Sequence, residues 1–169
     1  MASQETFKQT KASQSDDDNI VRIASPHVGG TGGLLSALRA INADYRCIPD
    51  AANPILATLF NLSRAEVRGV ISFYHDFKSI PRGATIIRLC AAEACQAAGG
   101  RDFIAAVEKK FGLKMGETSA SGDVTLEPVY CLGLCSTGPA AIVGECLVGM
   151  ADAGKIEKAV DRAKAERAS

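Results

Sequence analysis

Hydrophobic residues recur at steps of three and four between residues 32 and 77, which predicts amphipathic helices. The first stripe consists of Leu34, Leu38, Ile41 and Tyr45. A second helix is predicted to open on Asn53-Pro54, a cap followed by proline at the first helical position. A third begins at the capping box formed by Ser63 and Glu66. This region therefore predicts a small helical unit.

The pattern changes after residue 83, where short β-branched and apolar runs replace the helical spacing. The predicted order is strand, helix, strand, strand, strand, helix. The predicted strands cover residues 84–89, 123–130, 140–143 and 146–150, and the first helix covers 96–111. This order indicates an α/β arrangement in which helices cover a small sheet, consistent with a thioredoxin-like sheet.

The predicted organisation has three parts. Residues 1–25 are rich in Ser, Gln and Asp and have few large hydrophobes, so a flexible tail is expected there. Residues 26–80 form a helical domain, and residues 81–169 form the α/β domain. The expected fold class is thus α/β, with an N-terminal helical bundle before a thioredoxin-like domain.

Charge excludes some partners. The 169-residue chain balances 19 Lys and Arg against 19 Asp and Glu, so it has no field to attract nucleic acid or an anionic membrane. No apolar run reaches the ~20 residues of a spanning helix. The charged start of the chain lacks the apolar stretch of a signal peptide. We therefore expect a cytoplasmic protein with reduced cysteines.

Four of the six cysteines form two local pairs. Cys90 and Cys95 follow the first predicted strand, and Cys131 and Cys135 follow the second. If the two strands are neighbours, both loops emerge at the same end of the sheet and the four sulfurs can converge.

Three chemistries use four such thiolates. A 2Fe-2S cluster is ligated by four Cys, and Gly133 and Gly138 would let the backbone approach the sulfurs. A structural zinc site prefers tighter C-x₂-C knuckles, and a disulfide relay favours C-x-x-C at a helix start. The spacing favours the cluster over zinc and over structural or redox thiols. Cys47 and Cys146 belong to no pair and are expected to be small buried hydrophobes.

The helical unit has a competing interpretation as a DNA-binding helix-turn-helix of a redox-sensing regulator. Its second helix offers only Arg64, Arg68 and His75 for bases or phosphates, which disfavours DNA binding. The aromatic segment from Phe73 to Phe77 is instead expected to pack in the core or to dock a partner. No nucleophile elbow, Walker lysine or dinucleotide fingerprint is present, so no catalytic residue is predicted.

Three segments resemble the thioredoxin-like 2Fe-2S subunit family of NADH dehydrogenase (complex I). They are Ile71-Ser-Phe-Tyr-His-Asp-Phe77, Cys90-x₄-Cys95 and Cys131-Leu-Gly-Leu-Cys135-Ser-Thr-Gly-Pro139. Within that family, residues 92–97 and 125–135 are most similar to the gamma subunit of soluble NAD-dependent formate dehydrogenases. The equivalent subunits of NAD(P)-linked hydrogenases and of complex I are the alternatives.

This resemblance implies that Cys90, Cys95, Cys131 and Cys135 ligate one 2Fe-2S cluster. It also implies a partner flavoprotein that binds FMN and NAD, and a molybdenum- or tungsten-containing subunit that oxidises formate. The chain would be a non-catalytic electron-transfer subunit of that complex, with its helical unit docked on the flavoprotein.

Overall fold

The computed structural model of the protein describes residues 14–168. The chain divides into two compact units, residues 1–81 and 82–169. Helices of the first unit are α1 (Gln14–Ala24), α2 (Gly33–Tyr45), α3 (Ala52–Leu59) and α4 (Arg64–Phe73). Over the described residues, no helix in either unit is both long and apolar enough to span a bilayer.

The tail predicted over residues 1–25 is wrong from residue 14 onward, because α1 is a packed helix. Ile20 and Ala24 of α1 are fully buried against α2 and α3. The Asn19 side-chain amide donates hydrogen bonds to Asp44 at 3.1 Å and to the Tyr45 hydroxyl at 2.9 Å, which ties α1 to α2. The rest of the predicted tail, residues 1–13, lies outside the described residues.

The sequence predicts two helix caps in the first unit, and the structure confirms one of them. The Ser63 hydroxyl accepts from the Glu66 N–H at 3.2 Å and the Glu66 carboxylate accepts from the Ser63 N–H at 2.8 Å, so the predicted capping box is confirmed. The predicted Asn53 cap is wrong, since α3 begins at Ala52 without a side-chain cap. The Asn53 amide instead donates to the Arg64 carbonyl at 3.3 Å, joining the starts of α3 and α4.

The second unit is a four-stranded mixed sheet with helices. Its elements are β1 (Thr85–Cys90), α5 (Glu93–Ala97), α6 (Gly100–Phe111), β2 (Val124–Val129), β3 (Ala141–Val143), β4 (Cys146–Val148) and α7 (Ala153–Ala168). The strand order is β2-β1-β3-β4, with β1 parallel to β2 and the other pairs antiparallel. The predicted α/β class and element order are confirmed, with one helix split in two.

That split lies within the helix predicted over residues 96–111. Helix α5 ends at Ala97, and Gly99, with a left-handed φ of 88°, is the N-cap from which α6 starts at Gly100. A Cβ at Gly100 would stand 2.6 Å from the Cys95 carbonyl oxygen, so only glycine fits this close junction. Because the two helices are separate, Cys95 lies on the short helix α5 and not on the core helix α6.

The core of the second unit lies between one sheet face and the helices α6 and α7. Ile87 and Leu89 of β1 are fully buried there and belong to one hydrophobic cluster with Phe103 of α6 and Ile156 of α7. Strand residues alternate between faces, so Arg88 and Cys90 point to the opposite side. Burial of one face thus fixes the face on which Cys90 lies.

Candidate metal centre

The two cysteine pairs follow the carboxyl ends of two adjacent parallel strands. Cys90 is the last residue of β1 and is in register with Val129, the last residue of β2. Cys131 follows two residues later. Both loops therefore leave the same edge of the sheet, as predicted from the order of strands and pairs.

The first pair, Cys90 and Cys95, is buried in a small apolar cluster. The two residues are 1% and 2% exposed, and the buried residue Ala140 packs against them. Gly138 adjoins this pair, since a Cβ there would stand 3.2 Å from the Ala98 Cβ and 3.6 Å from the Cys95 Cα. The first pair is thus held by a strand end, a short helix and a glycine-lined loop.

The second pair, Cys131 and Cys135, is exposed and lies on a loop that ends in a short 3₁₀ turn. Its two sulfurs are 3.7 Å apart, and the Gly133 N–H donates to the Cys131 sulfur at 3.4 Å. Cys131 has a φ of 83° and Gly133 a φ of 77°. A left-handed conformation at a non-glycine residue is costly, so this loop holds Cys131 in an unusual orientation.

Hydrogen bonds distinguish the thiols of the first pair. Burial opposes ionisation of Cys90, yet hydrogen bonds from the Ala92 backbone, the Cys95 side chain and the Cys131 and Leu132 backbones together lower its pKa. Burial raises the pKa of Cys95, and its hydrogen bond to Cys90 raises it further. Cys90 is therefore the first of these two thiols to become a thiolate.

Electrostatic repulsion links the second pair to the first. The hydrogen bond with Cys131 and the repulsion from its charge raise the pKa of Cys135, and Cys90 adds to that rise. The charge of Cys135 in turn contributes to the raised pKa of Cys95. The raised pKa values of Cys95 and Cys135 partly reflect repulsion from neighbouring thiolates, and a shared cation that replaces the protons would cancel that repulsion.

The donor set fits an iron–sulfur cluster. Two thiolates bound at about 2.3 Å to one tetrahedral metal lie about 3.8 Å apart, close to the 3.7 Å between Cys131 and Cys135. Backbone donors to the sulfurs are the contacts that stabilise cluster thiolates. In residues 14–168 no three Cys, His, Asp or Glu side chains already form a metal cage, so the structure arranges the sulfurs as two pairs.

The two cysteines outside the pairs differ in burial. Cys47 is buried, 5% exposed, as predicted. The prediction that Cys146 is buried is wrong, because it lies exposed at the start of β4, one of the two edge strands of the sheet. The two histidines of the chain, His27 and His75, lie in the first unit, so histidine offers no ligand within residues 82–169.

Backbone donors are the part of this site that residue types do not reveal. Ala92, Ala140 and Leu132 reach the sulfurs through main-chain groups, which any residue except proline could supply. The indirect signals are the glycines Gly133 and Gly138, which permit the loop to fold closely around the cysteines.

Charged groups proposed for the DNA-binding alternative are exposed on the first unit. Arg64 and Arg68 lie on α4, and His75 follows its end. The α4 residue Val67 is fully buried among hydrophobic residues of the other helices. The α3–α4 pair thus contributes to the core of the helical unit.

Comparison with known proteins assigns the family. The model of the thioredoxin-like [2Fe-2S] ferredoxin family matches residues 20–164. The chain is 32% identical over 111 residues to one subunit of the NADH-quinone oxidoreductase of Pseudomonas aeruginosa, an alignment covering 66% of this chain and 67% of the relative. It is 26% identical over 127 residues to a subunit of the NADP-reducing hydrogenase of Solidesulfovibrio fructosivorans, covering 75% and 74%.

A solved structure supports the same assignment. The air-oxidised NAD⁺-reducing [NiFe]-hydrogenase superposes with a TM-score of 0.63 at 25% identity, covering 79% of this chain. This chain spans 23% of that hydrogenase chain. The protein belongs to the thioredoxin-like [2Fe-2S] ferredoxin family, and its cofactor is one 2Fe-2S cluster. The cluster expected from the cysteine spacing is confirmed at the level of the family.

Proposed function

We propose that Cys90, Cys95, Cys131 and Cys135 ligate the 2Fe-2S cluster, and that the chain transfers electrons within an NAD-linked oxidoreductase complex. The observation that carries this proposal is the placement of both cysteine pairs at the carboxyl ends of adjacent parallel strands. Because the chain has two cysteine pairs and a 2Fe-2S cluster has two irons, each pair can hold one iron.

Bound to these thiolates, a 2Fe-2S cluster accepts and returns one electron at a time. The residues of the chain fix its position and surroundings. The rigid strand end at Cys90 and the short helix carrying Cys95 orient one side, and the apolar contacts of Ala140 exclude water there. Backbone N–H groups offset negative charge on the sulfurs. The exposed second pair leaves the other side open to a redox partner.

The partner we propose is a flavoprotein subunit that binds FMN and NAD. The names of the relatives support an NAD-linked complex, since they include an NADH-quinone oxidoreductase and NAD(P)-reducing hydrogenases. An FMN can exchange two electrons with NAD as a hydride and one electron at a time with other carriers, which suits a one-electron cluster beside it.

The finer proposal is that the complex oxidises formate on a molybdenum- or tungsten-containing subunit. Its support is the likeness of residues 92–97 and 125–135 to the formate dehydrogenase gamma subunit. A hydrogen-oxidising subunit is the alternative supported by the hydrogenase relatives.

The surface proposed to dock the flavoprotein lies at the end of α4. Phe73 is 75% exposed, and Tyr74 contacts it edge to face with ring centroids 5.2 Å apart. Phe77 is half-buried and packs on the helical core. Exposed aromatic rings supported by packed neighbours are typical of the centre of an interface.

Anaerobic purification tests the cluster assignment. The wild-type protein should be red-brown and contain about two irons and two sulfides per chain. Cys135→Ser should alter the visible and electron paramagnetic resonance spectra, whereas the matched variant Cys146→Ser should leave them unchanged. A colourless protein with one zinc would overturn electron transfer, and equal loss in both variants would show that the ligand set is wrong.

Co-purification from the native host tests the partners. A tagged chain should bring down a flavoprotein together with a formate-oxidising subunit, and Phe73→Ser should release both while keeping the iron content. Recovery of a hydrogen-oxidising subunit instead would replace the formate proposal with its hydrogenase alternative. Undiminished capture by Phe73→Ser would contradict the docking surface.

A further inference from the structure

A cavity of about 670 Å³ lies in the second unit, between helix α7, the turn that joins β3 to β4 and the start of β1. Its volume falls within the range of roughly 300–1,000 Å³ that is usual for small-molecule sites. Thr85 lines the cavity at the start of β1, whereas Cys90 ends that strand, roughly 17 Å further along. The cavity is therefore separate from the proposed cluster site.

One face of α7 forms a side of this cavity. Its lining residues recur at steps of three and four, which places them on the same helix face, and they are Ala159, Arg162, Ala163, Glu166 and Arg167. The two alanines have no side chain beyond Cβ, and Gly144 on the β3–β4 turn has no side chain at all. These small residues leave the space that the cavity occupies.

The cavity is lined by charged groups of both signs. Arg162 and Arg167 provide guanidinium groups, and Glu145 of the turn and Glu166 of α7 provide carboxylates. Among residues 14–168, Arg162, Glu145 and Glu166 form no ion pair. Their charged groups are thus available to a ligand.

The Arg167 side chain is already held in place at the cavity. Its Nη2 donates to the hydroxyl of Thr85 at 2.7 Å, and its Nε donates to the carbonyl of Ala163 at 3.2 Å. Thr85 is buried at the start of β1, so this contact fixes the guanidinium against the sheet. A guanidinium has five N–H donors, so Arg167 keeps further donors for a ligand.

We propose that this cavity binds a small zwitterion, a compound of short-peptide size that carries both carboxylate and ammonium groups. Guanidinium groups such as that of Arg162 bind carboxylates through charge-assisted hydrogen bonds. The carboxylates of Glu145 and Glu166 accept from an ammonium group in the same way. A ligand of one sign only would be attracted by one pair of side chains and repelled by the other.

The exposed thiol of Cys146 lines the cavity, so its labelling reports whether the cavity is occupied. The probe is S-methylglutathione, a tripeptide with carboxylates, an ammonium group and no free thiol. Added to the anaerobically purified protein, it should slow iodoacetamide labelling of Cys146 several-fold and leave the visible spectrum unchanged. Peptide mass spectrometry measures the labelling, and titration calorimetry measures the affinity.

Charge variants test which groups hold the probe. Arg162→Gln should weaken its affinity about tenfold, the effect of losing a charge-assisted hydrogen bond. Arg101→Gln makes the same substitution at an exposed arginine of α6 that does not line the cavity, and should bind as the wild type does. Glu145→Gln should also weaken binding, whereas at a site for anions it would strengthen it.

Three results would overturn this proposal. The first is wild-type protein that shows neither protection of Cys146 nor binding heat at millimolar S-methylglutathione. The second is equal protection by succinate, which carries carboxylates and no ammonium group, because the site would then select anions. The third is equal affinity of Arg162→Gln and Arg101→Gln for the tripeptide, because binding would then occur outside the cavity.

Discussion

The two cysteine pairs of this protein have the same ligand chemistry and very different support. Cys90 and Cys95 are almost completely buried and rest on a strand end and a short helix. Cys131 and Cys135 are exposed on a loop whose backbone is bent into the left-handed region. The first pair is thus part of the folded core, whereas the second lies at the surface of the site.

This difference suggests that the two cysteine pairs have different roles in holding the cluster. A buried pair fixed by the sheet gives the cluster a defined position, and an exposed pair brings it to the surface where an electron can leave. The first pair should therefore tolerate change poorly, and the second pair should tolerate more.

Serine substitution of one ligand in each pair gives the largest expected contrast. Cys95→Ser should abolish the 2Fe-2S spectrum, because its buried surroundings cannot shift to let a shorter, more polar ligand reach the iron. Cys135→Ser should retain an altered cluster at reduced occupancy, since the exposed loop can adjust. Iron content and electron paramagnetic resonance measure both. Better retention in Cys95→Ser would reverse the comparison.

Truncating a leucine next to each cysteine pair should destabilise the protein more at the first pair than at the second. Leu89 precedes Cys90 and is fully buried, so Leu89→Ala should lower the free energy of unfolding by about 2–5 kcal/mol. Leu134 precedes Cys135 and is only half-buried, so the cost of Leu134→Ala should be clearly smaller. Urea unfolding of the cluster-free protein measures both, and equal costs would contradict the distinction.

Alkylation of the metal-free protein should separate the pairs by rate. Iodoacetamide needs an accessible thiolate, so Cys131 and Cys135 should react several-fold faster than Cys90, although hydrogen bonds lower the Cys90 pKa. The raised pKa of Cys135 means that its rate should keep increasing at a pH where an ordinary cysteine is already ionised. Peptide mass spectrometry reads each site, and faster labelling of Cys90 would show that its burial is transient.

Alanine substitution of one glycine near each cysteine pair should give a smaller difference between the two pairs. Gly133→Ala forces a side chain into a left-handed backbone with open space around it, which should cost about 1–2 kcal/mol and leave the first pair intact. Gly138→Ala would instead crowd the Ala98 Cβ at 3.2 Å, so it should perturb the environment of Cys95. Unfolding curves and cluster spectra of the two variants test this, and a spectral change only in Gly133→Ala would contradict it.

Much of the second unit follows from its sequence because the informative residues are large or chemically distinct. The β-branched run before Cys90 marks β1, and the spacing of four cysteines marks two loops after strands. Parallel pairing of β1 with β2 then brings those loops to one edge. The family resemblance implies the same four cysteines as ligands and the same cofactor.

The sequence predictions are wrong where packing depends on small residues or on the position of a strand in the sheet. Helix α1 packs through Ala24 as well as Ile20, and an alanine adds little to a hydrophobic stripe in the sequence. Cys146 begins an edge strand, and composition cannot show which strand lies at the edge. The ion pair between Arg88 and Glu127 is not visible in the sequence either, because strand register, not sequence proximity, joins the two residues.

Ligation of a single 2Fe-2S cluster by both pairs underlies the electron-transfer function proposed for this protein. Native mass spectrometry of the anaerobically purified chain, combined with alkylation of the intact protein, is the sharpest test of that ligation. We expect the added mass of one 2Fe-2S cluster per chain, with Cys90, Cys95, Cys131 and Cys135 protected and Cys146 labelled. A chain carrying a single zinc, or one whose cluster leaves Cys131 and Cys135 open to alkylation, would refute shared ligation.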